Sequence, residues 1–277
     1  MALTKVLIAV KTYPTISAKY DELVCTAGFT EDGEWIRIYP IPYRKKSYDE
    51  QYRKYDWVEV DLVKNRNDYR PESFRPYSSD SKIEIVDHIG TENNWARRKP
   101  IALKNVHYNL TDLINQAHDK TIRTSLAVFK PTAIKDFKIV RVSRTWDKKK
   151  LEKLQQMNLF QTAKDQKFEV VRKLPYKFSY VVVDNMGREA TMMVEDWELG
   201  QLFWRQLAKH EGNEAKACAD VKLKYFDNFA KTKDLYLFLG TTKSNHHVSN
   251  NPFMIIGTFY PKFEIKKPVS TQTSMFD

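Results

Sequence analysis

The residues with chemistry to offer in this chain are cations set beside aromatic rings. Arg37 stands between Trp35 and Tyr39, Arg44 and Lys45 follow Tyr43, Arg53 and Lys54 lie between Tyr52 and Tyr55, and Arg97 and Arg98 follow Trp95. Lysine and arginine neutralise phosphates, and aromatic faces stack on exposed bases. A second basic stretch runs through residues 141–177. The net charge of +11 over 277 residues favours partners that carry phosphate. These features lead us to expect a nucleic-acid partner, DNA first. The expected contacts are Trp35, Arg37, Tyr39, Arg44, Lys45, Arg53, Lys54, Arg97 and Arg98.

The other chemistries open to these residue types find less in the sequence. His246 and His247 are adjacent, so on a strand they would point to opposite faces, and no H-x-x-x-H or C-x-x-C accompanies them. No metal site is assigned to them; one of the pair is better suited to hold a ligand from the loop before residue 253. Metal-dependent nucleases place an acid two residues before a lysine on a strand, the carboxylates holding the metal and the lysine stabilising developing charge. Asp136-Phe137-Lys138 and Glu264-Ile265-Lys266 have that local form, without a matching upstream acid, so a nuclease is the enzymatic alternative. No G-x-S-x-G supports serine hydrolysis. Glu195, Asp196 and Glu198 read as acids favoured at a helix start. Two cysteines, Cys25 and Cys218, exclude a disulfide scaffold and a cysteine-rich metal site. No catalytic residue and no cofactor is assigned.

Short strands must position these groups. Residues 23–27 are β-prone, Glu31-Asp32-Gly33 is a turn signal, and residues 35–39 alternate, with Trp35, Arg37 and Tyr39 on one face and Ile36 and Ile38 on the other. Pro40 and Pro42 are expected to stop that ladder, because proline has no N–H to donate. Residues 5–11, 57–63, 83–89, 235–239 and 253–259 read as further strands, residues 125–142 as two strands around Pro131, and residues 180–194 as a second hairpin. Residues 110–118 fit a helix capped by Thr111, residues 147–157 a charged helix, and Asp196 opens another, followed by one at 214–229. Strands with helices inserted between them, and no βαβ alternation, predict a β-rich α+β fold of small sheets or barrels. The expected organisation is a β-rich module at 1–143, a charged helical connector at 144–165, an α+β module at 166–267 and a flexible tail at 268–277. No run reads as a signal peptide or reaches transmembrane length, so a cytoplasmic protein with no membrane partner is expected.

Two resemblances add to this. Val24-Cys25-Thr26-Ala27-Gly28 with Asp32-Gly33-Glu34-Trp35-Ile36-Arg37-Ile38-Tyr39-Pro40 resembles the start of bacterial dual-OB-containing domains. Ser125-Leu126-Ala127-Val128 with Pro131, Pro175-Tyr176-Lys177-Phe178 with Asp196-Trp197-Glu198, and Leu239-Gly240-Thr241 with Ile255-Ile256-Gly257 are similar to later parts of the same pattern. That resemblance implies OB-like or PUA-like barrels and a non-enzymatic, DNA-binding component of a bacterial defence or DNA-maintenance system. The tail Gln272-Thr273-Ser274-Met275-Phe276 resembles a sliding-clamp-binding peptide. It implies that Gln272, Met275 and Phe276 dock on a clamp, Gln272 bonding at the rim of a pocket that takes the two apolar side chains. A protein–protein adaptor acting through this tail is the third functional class.

Overall fold

Period-two alternation builds the first sheet. Its strands are β1 (Leu3–Lys11), β2 (Thr15–Ser17), β3 (Asp21–Phe29), β4 (Trp35–Ile41), β5 (Asp56–Lys64), β6 (Ser73–Pro76) and β7 (Ile83–His88). The structure is a computed structural model in which residues 3–17, 21–78, 81–149, 151–152 and 170–264 are described. In the order β1-β3-β4-β6-β5, with β5 returning to pair with β1, five strands close a barrel. Only the β4–β6 contact in that ring is parallel. This is an OB-like barrel. Val6, Ile8, Ile36, Ile38, Val58 and Val60 fill its interior. Gly33 takes a φ of 76° in the β3–β4 turn, a conformation that glycine adopts without steric cost.

The rest of the chain builds a second body. β8 (Val106–His107), α1 (Leu110–His118), β9 (Leu126–Phe129), β10 (Ala133–Arg141), β11 (Tyr176–Val183) and β12 (Glu189–Met193) come first. α2 (Trp197–Lys209), α3 (Glu214–Lys222), β13 (Tyr236–Thr241) and β14 (Phe253–Phe259) follow. β10-β11-β12 form one sheet and β14-β13-β9-β8 another, and the Val194–Ile255 bridge joins the two. Leu113, Phe178, Tyr180, Phe203, Val221 and Tyr225 centre the core between these sheets and the helices. β9 and β10 precede residue 143 and pair with β13 and β11, not with barrel strands.

The expected elements form where hydrophobic period and turn chemistry agree, and three details differ. β4 runs through Pro40 to Ile41; a register shift opposite Tyr39 and Pro40 absorbs the missing N–H. The cap of α1 is Asn109, whose side chain accepts from the Thr111 and Asp112 N–H groups. α3 passes into a π-helical stretch, Leu223–Ala230. Most of the connector at 144–165 and the whole tail at 268–277 lie outside the described residues.

The two bodies are held together by packing and by buried charge. Leu7, Ala27 and Phe29 on the outer face of the barrel meet Leu126, Phe238 and Phe259. Tyr13 lies so close to α2 that a Cβ on Gly200 would stand 2.1 Å from its ring. Lys54, 9% exposed, donates to both Asp196 carboxylate oxygens at 2.8 Å and stands 3.3 Å from Glu198. Asp196 also caps α2, accepting from Glu198 N. Removing one partner strands a charge in the junction. Lys54→Ala is therefore expected to lower unfolding free energy by about 3–5 kcal/mol, measured by urea denaturation.

Candidate functional site

The alternation expected of β4 is present, but its outer face is largely covered by the second body. Trp35 is half-buried, its ring centroid 4.1 Å from Phe29 and 5.5 Å from Phe238. Arg37 is 2% exposed. Its Nη2 donates to the Ser125 carbonyl at 3.1 Å, while Nε and Nη1 have no protein partner. Tyr39 is half-buried. The apolar groups beside these residues bury more favourably against the second body than in water, and Arg37 is carried under with them. Burial, then the neighbouring Arg70 charge, lowers the Arg37 pKa.

Two more of the expected cations are also structural. Lys54 belongs to the junction ion pair, and Arg98, 6% exposed, donates to the Ile89 carbonyl and lies 3.6 Å over the Tyr55 ring. Arg37, Lys54 and Arg98 are thus corrected from surface contacts to buried groups. Arg44 and Lys45 sit on the turn Tyr43–Lys45, Arg53 is exposed with Nε 3.7 Å from Asp56, and exposed Arg97 lies 3.4 Å from Asp87. These four are not brought beside Trp35.

Arg37 instead marks where three loops converge: residues 65–72 between β5 and β6, residues 119–125 before β9, and residues 242–252 between β13 and β14. Buried Arg70 ties the first to the third. It donates to the Thr241 carbonyl and, through Nε at 2.9 Å, to Asp68. The Arg70 guanidinium and the Ser73 hydroxyl overcome burial and hold the Asp68 carboxyl down at about 2. Thr241 Oγ1 lies 2.8 Å from His246 Nδ1, and His246 is fully buried with Nε2 unpartnered. Burial, then the charges of His247 and Arg70, pushes the His246 pKa down to about 4. Of the two loop histidines considered for a ligand, His246 is thus a neutral pillar of the loop, and His247 is exposed.

Outside this pillar the loops form an aromatic and basic surface. The Tyr69 and His247 rings stack at 4.9 Å and 17°. The Tyr69 hydroxyl donates to the Lys243 carbonyl at 2.8 Å, Lys243 Nζ to the Asn67 carbonyl at 2.5 Å, and Arg123 Nη1 to the Tyr69 carbonyl at 3.5 Å. Exposed Arg66 and Lys120 flank them. Beside this surface a cavity of about 480 Å³ is lined by Trp35, Glu72, Thr30, Thr124 and Ser125. A second, of about 450 Å³, lies across Trp35 and is lined by Lys104, His107 and Leu126. The Ser125 hydroxyl donates to Glu72 Oε1, and Glu72 Oε2 is buried without a partner. Sequence reasoning passed over Tyr69 and Glu72; the one available signal was a Tyr-Arg pair in a loop, a pattern it weighed elsewhere.

Of the nuclease triplets, Asp136 and Lys138 both lie on β10. Asp136 accepts from the Phe137 N–H, Lys138 donates to Thr191, and Glu264 pairs with Lys99 at 2.7 Å. Lys266 and the tail residues Gln272, Met275 and Phe276 lie outside the described residues. Among the described residues, no three His, Cys, Asp or Glu side chains cluster as metal ligands. No described helix is long and apolar enough to cross a membrane.

His246 generates a pH prediction. Its folded pKa of about 4 is below the ordinary 6.5, so the unfolded chain takes up the proton first on acidification. Stability is fully present above pH 6.5 and falls as the pH drops from 6.5 to about 4, by on the order of 3 kcal/mol. His246→Asn is expected to flatten that slope in urea unfolding series measured across this range.

A family model described as a domain of unknown function (DUF8758) matches residues 2–104, and one described as a domain of unknown function (DUF8757) matches residues 106–277. No curated protein matches the chain. A solved structure of a murine DNA-binding protein bound with double-stranded DNA is 12% identical, covering 97% of this chain and 98% of that one, with a TM-score of 0.33. A likeness at that score carries no argument about fold or function. Because the second family model spans more than half of the sequence, the chain belongs to the DUF8757 family.

Proposed function

We propose that this protein binds nucleic acid, DNA first, without cutting it, on the surface made by residues 65–72, 119–125 and 242–252. The observation that carries this reading is the stacked Tyr69–His247 pair set among Arg66, Lys120, Arg123 and Lys243. Cations around an aromatic platform offer phosphate neutralisation and base stacking in one place. The supporting loop joins the fourth and fifth barrel strands, a position from which OB-type barrels contact oligonucleotides. The outer sheet face that such barrels also use is buried here, which leaves the loops to do the binding. The net charge of +11 favours the same partner. The dual-OB resemblance supports a bacterial defence or DNA-maintenance setting. The sequence of Gln272 to Phe276 supports recruitment by a sliding clamp.

Fluorescence anisotropy with labelled single- and double-stranded oligonucleotides tests the reading. Affinity is expected to fall steeply between about 50 and 200 mM salt. Combining Arg66→Ala, Arg123→Ala and Lys243→Ala is expected to reduce the magnitude of the salt slope by about two to three. Tyr69→Ala is expected to cost about 1–3 kcal/mol on single strands. Salt-independent binding, or none, overturns the proposal. Magnesium-dependent cleavage lost in Asp136→Ala would install the nuclease reading instead. Deleting residues 272–277 is expected to abolish clamp capture in a pull-down with purified clamp while leaving oligonucleotide affinity unchanged.

A further inference from the structure

The basic stretch at residues 141–177 takes no part in the loop surface. Part of it closes on α2 around a cavity of about 330 Å³, which Trp146, Arg172 and Lys173 line together with Trp204 of α2. That volume lies at the lower end of the range of small-molecule sites. The indoles and the guanidinium are fixed in place. Trp204 Nε1 donates to the Tyr13 hydroxyl at 2.7 Å, and that hydroxyl donates to the Arg172 carbonyl at 2.8 Å. The Arg172 guanidinium lies 4.2 Å from the centre of the Trp204 ring. Trp146 Nε1 donates to the Val171 carbonyl at 2.8 Å. With both indole N–H groups engaged, the rings have apolar surface left to offer.

Charge decides the sign of a ligand here. Arg144, also in the lining, is neutralised by Glu214, Nη2 to Oε2 at 2.9 Å. Lys173 Nζ donates to the Ser143 carbonyl at 2.8 Å, a neutral acceptor that leaves the lysine charge uncancelled. Arg172 is exposed, and no Asp or Glu is among the described residues that line the cavity. A dianion gains from both cations, and a planar guanidinium matches phosphate with two parallel hydrogen bonds. Leu151, Val171 and Pro175 extend the apolar wall beside the indoles. A nucleoside monophosphate joins the two features, a dianionic phosphate and a flat ring.

We propose that this cavity binds a nucleoside monophosphate, its phosphate on Arg172 and Lys173 and its base against the apolar wall. The phosphate group is that of a free nucleotide or of a strand end, where alone a strand carries the second charge. The cavity shares no lining residue with the loop surface, so the inference does not rest on the reading above.

Isothermal titration calorimetry of the full chain with AMP, adenosine, phenyl phosphate and inorganic phosphate tests it. AMP is expected to bind at least about tenfold more tightly than the other three. Arg172→Gln should weaken AMP binding about tenfold or more, and Arg172→Lys should restore only part of it. The urea midpoint without ligand, unchanged in both variants, separates this loss from unfolding. AMP affinity should also be unchanged when Arg66, Arg123 and Lys243 are all alanine; a loss there overturns a separate site. Adenosine matching AMP overturns the role of the phosphate, and inorganic or phenyl phosphate matching AMP overturns that of the base. Absence of AMP binding, or binding indifferent to Arg172, overturns the proposal. In the triple-alanine chain, a 5′-phosphorylated oligonucleotide that competes more tightly than AMP identifies the strand end as the source, and one that competes less tightly identifies the free nucleotide.

Discussion

Covering the outer face of β3 and β4 is the constraint on which the rest of this structure depends. Leu7, Ala27 and Phe29 face outward from the barrel, and a closed barrel has no interior room for them. Phe238, Leu126 and Phe259 of the second body take them out of water, each large side chain contributing roughly 1.5–3 kcal/mol. The same closure desolvates Arg37, which stands in that face. A buried guanidinium needs acceptors, and it finds the Ser125 carbonyl 88 residues away in sequence. The loop carrying Ser125 is therefore held against the barrel, and Arg70, Asp68 and Thr241 extend the same polar seam to the β13–β14 loop.

This arrangement divides the charged residues into two populations with different work. Lys54, Arg70 and Arg98 are spent on internal partners: two carboxylate oxygens, a carbonyl with a carboxylate, and a carbonyl under a tyrosine ring. Arg66, Lys120 and Lys243 stay at the surface, where charge is available to a partner. A polar seam with unfilled atoms beneath a basic rim is a different design from an open sheet face.

Much of the fold was legible from local pattern. Ile36 and Ile38 alternate with Trp35, Arg37 and Tyr39 because side chains on a strand change face at every residue, and the barrel interior takes the isoleucines as expected. The turns at Gly33 and Gly187 follow from glycine at positive φ, and Asp196 caps its helix. The error at residue 111 has the same origin as these successes. Asn109 and Thr111 both carry cap-forming side chains, and only the φ/ψ values decide between them. The site was less legible. Arg37 and Lys54 look like surface cations because each stands between aromatic residues in sequence, and nothing within several residues announces the acceptor that buries them.

What the sequence by itself determined is which side chains share a face, where the chain turns, and that the chain carries an excess of positive charge. These follow from periodicity, backbone sterics and composition, all of them local or additive. Which face would be covered is a property of the tertiary structure alone. The residues that cover it come from β9, β13 and β14, and hydrophobic contact carries no signature of its partner's position in the chain. By choosing to bury the Trp35–Arg37 face, the fold moved the accessible aromatic and basic surface to Tyr69, His247 and Lys243, on loops distant in sequence that Arg70 ties together through Thr241.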